Sequence, residues 1–152
     1  MTIRRTLAMG FLLALASYDT HADTPLFGAW QGSQPGADPQ ARISIDLVLE
    51  GAQDAQSGQY RMATALHNPS ARAGMGTIHW GGTWTSSQHA INGQTVTVVE
   101  LNDALPSDIS RYALMPDGTL RVLNANGTLD TSPIAALYTL SPVPPGPRRG
   151  RV

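Results

Sequence analysis

Residues 42–50 read Arg-Ile-Ser-Ile-Asp-Leu-Val-Leu-Glu, placing Ile43, Ile45, Leu47 and Leu49 on one side of an extended chain and Ser44, Asp46, Val48 and Glu50 on the other. A period of two suits a strand with one buried face and no helix. Four branched aliphatic side chains on one face need other strands to cover them, so the segment commits the chain to a sheet. Residues 59–67 take up the pattern again with Tyr60, Met62, Thr64 and Leu66, after a polar stretch from Gly51 to Gly58. The two segments are expected to pair as a hairpin.

The same reading continues along the chain. Residues 77–86 set Ile78, Trp80, Gly82 and Trp84 on one face, unless a bulge at Gly81-Gly82 shifts the parity. Asn92-Gly93 joins this segment to 95–101, and Asn-Gly favours a tight hairpin because both turn positions take positive φ. Pro116-Asp117-Gly118 marks a turn between 110–115 and 119–124, and Asn126-Gly127 leads to a last strand over 134–140. With a first strand at 27–32 this makes about eight short strands, each beside its sequence neighbour. The expected fold is all-β, a small antiparallel lipocalin-like meander closed into a barrel or half-barrel, because closure removes exposed edges. A two-sheet sandwich is the alternative.

The ends differ from this middle. Arg4 and Arg5 precede an apolar run at 7–16, the pattern of an export signal. The run is too short for a transmembrane helix, which needs roughly 20 apolar residues. Cleavage is expected after Ala22, with Ala16 as the other candidate, by the general secretory or the twin-arginine route. Residues 1–22 are thus read as a signal peptide, 23–140 as one β-barrel domain, and 141–152 as a disordered tail rich in proline and arginine. The expected location is periplasmic or secreted. The chain has no cysteine, which excludes disulfides, thiolate metal sites and a lipid-bearing cysteine. Between Pro25 and Leu140 five arginines stand against nine acidic residues, a balance that disfavours nucleic acid as a partner.

The order of short motifs along these strands resembles the N-terminal domain of the NlpE family, envelope lipoproteins tied to copper resistance and envelope stress. Gly28-Ala29-Trp30-Gln31-Gly32 leads into Pro35-Gly36-Ala37-Asp38-Pro39, where the family has a G-x-[WY]-x-G strand and a P-C-A-D-C-P turn. Gly82-Thr83-Trp84 matches a G-T-W strand, the segment from Leu120 to Gly127 matches L-x-x-L-[DN]-x-x-G, and Tyr138-Thr139-Leu140 matches Y-x-L. The resemblance runs nearly the whole chain after Ala22 and implies a lipocalin-like barrel in the bacterial envelope. Gly36 stands where the first cysteine of the turn would be, and the second cysteine and the lipid-bearing cysteine are missing. Copper binding through C-x-x-C and membrane anchoring are therefore not carried over.

Candidate chemistry is sparse. Trp30, Trp80 and Trp84 are the candidate ligand-binding residues, either as the floor of an apolar cavity in the barrel mouth or as plain core. His67 and His79 could meet if strands 59–67 and 77–86 pair, but no local ligand spacing links them or His89, so no metal or other cofactor is expected. Asp38, Asp103, Asp108 and Asp117 fall in turn sequences, where aspartate accepts local backbone hydrogen bonds. No nucleophile elbow or paired carboxylate motif is present. The expected function is that of a non-enzymatic, monomeric envelope module, binding or stress-associated, whose partner is an envelope protein or a small apolar ligand. The alternatives are a periplasmic inhibitor of secreted metalloproteases and an apolar-ligand carrier.

Overall fold

The computed structural model describes residues 27–52, 54–70, 76–102 and 110–144. The export signal expected at 1–22, residues 145–152 of the expected tail, and Asp103 and Asp108 lie outside them. Eight strands follow one another: β1 (Gly28–Pro35), β2 (Arg42–Glu50), β3 (Ser57–His67), β4 (Thr77–Ile91), β5 (Gln94–Leu101), β6 (Arg111–Leu114), β7 (Leu120–Val122) and β8 (Thr139–Pro142). Each pairs antiparallel with its sequence neighbours, and β8 pairs back onto β1, so the sheet is a closed meander barrel. Among the described residues no helix is long and apolar enough to cross a membrane.

Alternation decides which side chains fill the barrel. In register, Trp30 stands beside Leu47, Leu47 beside Met62 and Met62 beside Trp80, and one pleat along, Leu49 stands beside Tyr60 and Tyr60 beside Gly82. These inward residues continue through Trp84, Val99, Leu101, Tyr112, Leu120 and Leu140 into a single buried cluster. Each such aliphatic or aromatic side chain contributes roughly 1.5–3 kcal/mol by leaving water. β4 carries no bulge at Gly81-Gly82: its pairing with β3 is continuous from Trp84 opposite Gly58 to Trp80 opposite Met62, so Ile78, Trp80, Gly82 and Trp84 keep one parity.

The Asn92-Gly93 hairpin has the geometry its sequence demands, with φ of 51° and 78° at the two positions. The β4–β5 hairpin extends past the barrel and buries a second cluster on the outer face, where Ile91, Val96 and Val98 pack with Ala113 and Leu123. Met115 and Leu129 flank it, and Leu129 is held by a bridge to Leu123.

The last strand departs from expectation. Residues Pro133–Tyr138 form a 3-10 helix, and strand structure is confined to Thr139–Pro142. Pro133 fixes φ and lacks an N–H, which suits a first helical position better than a ladder. Ala135 and Ala136 add little strand preference, and the Ala135 N–H donates to Ser132 O at 3.0 Å. β8 instead runs to Pro142, and the Val143 N–H donates to Ala29 O at 2.8 Å.

That substitution of helix for strand shapes one end of the barrel. β1 pairs with β8 only at Trp30 and Gln31. Beyond them, Gly32 lets the chain of Thr139 and Leu140 lie close, since a Cβ at Gly32 would sit 2.5 Å from Leu140 Cδ2. The 3-10 helix then packs against β1 and β7 where a longer β8 would have run.

Candidate functional site

The up-and-down order gives the barrel two unlike ends. One carries the connections β2–β3, β4–β5 and β6–β7; the other, the rim end, carries β1–β2, β3–β4, β5–β6 and the long β7–β8 connection. The first is sealed by indoles. Trp30 Nε1 donates to Gly118 O at 2.9 Å, and Trp84 Nε1 donates to Glu50 O at 3.0 Å, so each ring is packed in the core while its one polar atom is satisfied by a turn carbonyl. Trp30 and Trp84 are 4% and 0% exposed. Trp80 is half-buried toward the rim end, packs against the same cluster, and reaches Thr64 Oγ1 at 3.4 Å. The three tryptophans thus share one core, whose interior is filled by side chains.

The histidines are dispersed. His79 stands opposite Ala63, four residues along β3 from His67, so the β3–β4 register keeps the two apart. His67 Nε2 shares a hydrogen bond with Ser44 Oγ at 3.0 Å, and His89 Nε2 shares one with Ser87 Oγ at 2.9 Å. Among the described residues no group of three histidine, aspartate or glutamate side chains converges as a metal site. Asp38 Oδ1 accepts from Gln40 N at 2.9 Å and Asp117 Oδ1 from Thr119 N at 3.0 Å, both within turns.

A cleft of about 350 Å³ opens at the rim end, between the end of β1, β7 and the 3-10 helix. Its walls include Gln34, Arg121, Asn124, Asp130, Ala135 and Tyr138. Gln34 continues the inward parity of Trp30 and Gly32 and is only 7% exposed, the one buried polar side chain among the described residues. Its Nε2 is fully shielded and has no hydrogen-bond partner. An amide donor left this way costs about 1–3 kcal/mol, so natural cores seldom keep one without a reason.

The facing groups are tied down by local bonds. Arg121 Nη2 donates to Asp130 O at 3.0 Å, which fixes the 123–130 turn against β7. Asp130 Oδ1 accepts from the Ser132 N–H at 2.8 Å. The Ser132 backbone N–H, then its hydroxyl, and then the charge of Arg121 hold the Asp130 carboxyl below the ordinary aspartate value. Tyr138 is 37% exposed beside the cleft, and Ile134 and Leu137 on the same helix are also exposed.

Sequence reasoning singled out the tryptophans and missed this group. A usable signal was present in the strand parity: after Trp30 and Gly32, the next inward position of β1 is occupied by glutamine. Asp130, Arg121 and Tyr138 carry no such mark, because the pattern of residues 134–140 suits a strand and conceals the 3-10 helix that sets Tyr138 beside the cleft. Fold and cleft together define a small closed meander barrel with a solid interior and one polar recess at its rim end. No protein-family model, curated protein or solved structure matches the chain.

Proposed function

We propose that the chain is an exported, NlpE-like envelope protein that works by binding and not by catalysis, as a monomeric accessory module whose contact surface is the rim-end cleft. The observation that carries this reading is the polar lining of that cleft, where Gln34, Arg121, Asn124, Asp130 and Tyr138 surround a recess of about 350 Å³. Export and envelope residence are supported by Arg4-Arg5 ahead of the apolar run at 7–16, and the kinship by the ordered landmarks from Gly28-Ala29-Trp30 to Tyr138-Thr139-Leu140. A binding role is favoured over a catalytic one by the polar groups themselves: the Asp130 carboxylate accepts from the Ser132 N–H within its own turn, and the guanidinium of Arg121 is engaged with a backbone carbonyl. Ring closure of the sheet supports a monomer, since it leaves no whole strand unpaired.

The test is capture from envelope extracts on immobilised protein, with mass spectrometry of retained proteins and small molecules, run beside Tyr138→Ala. Material held by the natural chain and lost from the variant supports the cleft as the contact surface. Equal retention by both, or none by either, overturns it.

A further inference from the structure

We infer that Asn92 is a site of covalent modification in the folded protein: it loses its side-chain amide to attack by the Gly93 main-chain nitrogen, whereas the same dipeptide at Asn126-Gly127 is protected by its turn. The chain contains Asn-Gly at 92–93 and again at 126–127. Glycine leaves the attacking nitrogen without a neighbouring Cβ in both, so sequence alone gives the two pairs equal standing. The turns that hold them differ.

At the first pair the ladder closes with Ile91 opposite Gln94, and the peptide joining Asn92 to Gly93 stands outside it. Both residues are exposed, and nothing lies within 4 Å of a Cβ placed on Gly93. Among the described residues neither the Asn92 side chain nor the Gly93 N–H has a hydrogen-bond partner. Water and hydroxide therefore reach the Gly93 nitrogen, and the Asn92 amide is free to turn onto it. At the second pair the Gly127 N–H donates to Asn124 O at 2.8 Å. Asn126 Oδ1 accepts from the Thr128 N–H at 3.2 Å and from the Thr128 hydroxyl at 2.7 Å, which ties the side chain to residue 128. The Arg111 guanidinium covers this turn, 3.7 Å from where a Gly127 Cβ would sit. Its charge favours loss of the Gly127 proton, but that proton must first leave Asn124 O, and the peptide must break its bond to turn out of plane.

The step is a ring closure followed by hydrolysis. Gly93 N gives its proton to hydroxide and bonds to Asn92 Cγ; the Cγ–Nδ2 bond breaks, and the amide departs as ammonia with a proton returned from water. Water then opens the cyclic imide at either carbonyl carbon. One opening leaves aspartate, and the other leaves isoaspartate, in which the main chain runs through the former side chain and is longer by a methylene. Either product adds a negative charge at the tip of the β4–β5 hairpin. The second also lengthens a turn whose φ values of 51° and 78° fit its present backbone, next to Ile91 in the outer-face cluster.

The experiment incubates the folded protein in mildly alkaline buffer at physiological temperature, digests samples with pepsin in acid, and follows the amide-to-acid mass change in the peptides that contain Asn92 and Asn126. Asn92 should convert at least about tenfold faster than Asn126, the rate equivalent of about 1.4 kcal/mol of barrier. The same incubation in urea should bring the two rates together, because the Gly127 and Asn126 bonds are then gone. Isoelectric focusing of the folded chain should show an acidic form accumulating, and Asn92→Asp, which keeps an Asp-Gly turn, should abolish that accumulation while Asn126→Asp leaves it. Conversion of Asn126 as fast as Asn92 in the folded chain would overturn the inference. So would a rate ratio that is the same in urea, since sequence and not the turn would then set it. A folded chain whose Asn92 stays intact while the urea-unfolded chain converts would overturn it equally, by showing that the hairpin protects this residue too.

Discussion

The indole N–H of Trp84 donates to the main-chain carbonyl of Glu50 at 3.0 Å, across the point where β3 begins at Ser57 and Gly58. The bond forms because residue 58 has no side chain. A Cβ there would lie inside the contact distance of Glu50 O and 2.7 Å from Trp84 Nε1. Gly58→Ala therefore forces apart a backbone pair and a fully buried ring. Overpacking of this kind costs about 1–3 kcal/mol, and the displaced indole donor adds about 1 kcal/mol. Urea unfolding should show a combined loss of at least about 2 kcal/mol. The control is Gly76→Ala, where nothing lies within 4 Å of the new Cβ. Equal stabilities for the two variants would contradict the Trp84–Glu50 arrangement.

Leu47 is fully buried between Trp30 on β1 and Met62 on β3. Leu47→Ala should cost roughly 2–5 kcal/mol, the range for a large-to-small change in a rigid core. Asp46→Ala, one residue away on the exposed face, should stay within about 0.5 kcal/mol. The difference measures strand parity directly. A small effect at Leu47 would mean that the inward face had been misassigned.

Local rules made most of this barrel legible. The alternation at 42–50 and the Asn92-Gly93 turn depend on residues near one another in sequence, and both appear as read, including positive φ at both turn positions. What was hidden depends on closure. Whether Pro133–Tyr138 continues a strand is settled by how β8 meets β1 beyond Gln31, a contact between the two ends of the sheet. The same holds for β5, where Val98 and Val99 are both buried because the β4–β5 hairpin brings a second apolar cluster to the outer face. The tryptophans show a further limit. An aromatic side chain on an inward position suits a core or a ligand floor equally, and only the indole bonds of Trp30 and Trp84 to turn carbonyls reveal that they close one end.

Acid should act on the turns before neutral pH does. Asp117 is held below the ordinary aspartate value by the Thr119 hydroxyl and then by its backbone N–H, and Asp130 by the Ser132 backbone N–H and then its hydroxyl. A carboxyl whose folded value is depressed binds its proton less readily in the native chain than in the unfolded one. Its contribution is therefore complete above the unfolded value, about 3.9, and is lost as pH falls through the lower folded value. These two groups predict a urea midpoint that is flat above about pH 5 and declines below about pH 4. Asp117→Asn should make the acid-side decline shallower. A midpoint that already fell between pH 7 and pH 5, or a slope unchanged by the substitution, would show that other groups govern acid stability.

The cleft makes a prediction about stability that needs no ligand. Gln34 is 7% exposed, and its shielded Nε2 has no partner, so the folded chain bears the desolvation cost of an amide donor without a compensating bond. Methionine has nearly the same length as glutamine, is unbranched, and carries no donor. Gln34→Met should therefore stabilise the protein, by about 1 kcal/mol if the lower end of the usual 1–3 kcal/mol penalty applies. Tyr138→Ala, at a residue already 37% exposed, should shift stability by no more than about 0.5 kcal/mol. Gln31→Met serves as a control at an exposed position on the same strand. Urea midpoints for the three variants decide the matter. A loss above about 1 kcal/mol for Gln34→Met would mean that the amide is already paired in solution, with a buried water or a neighbouring group supplying the acceptor.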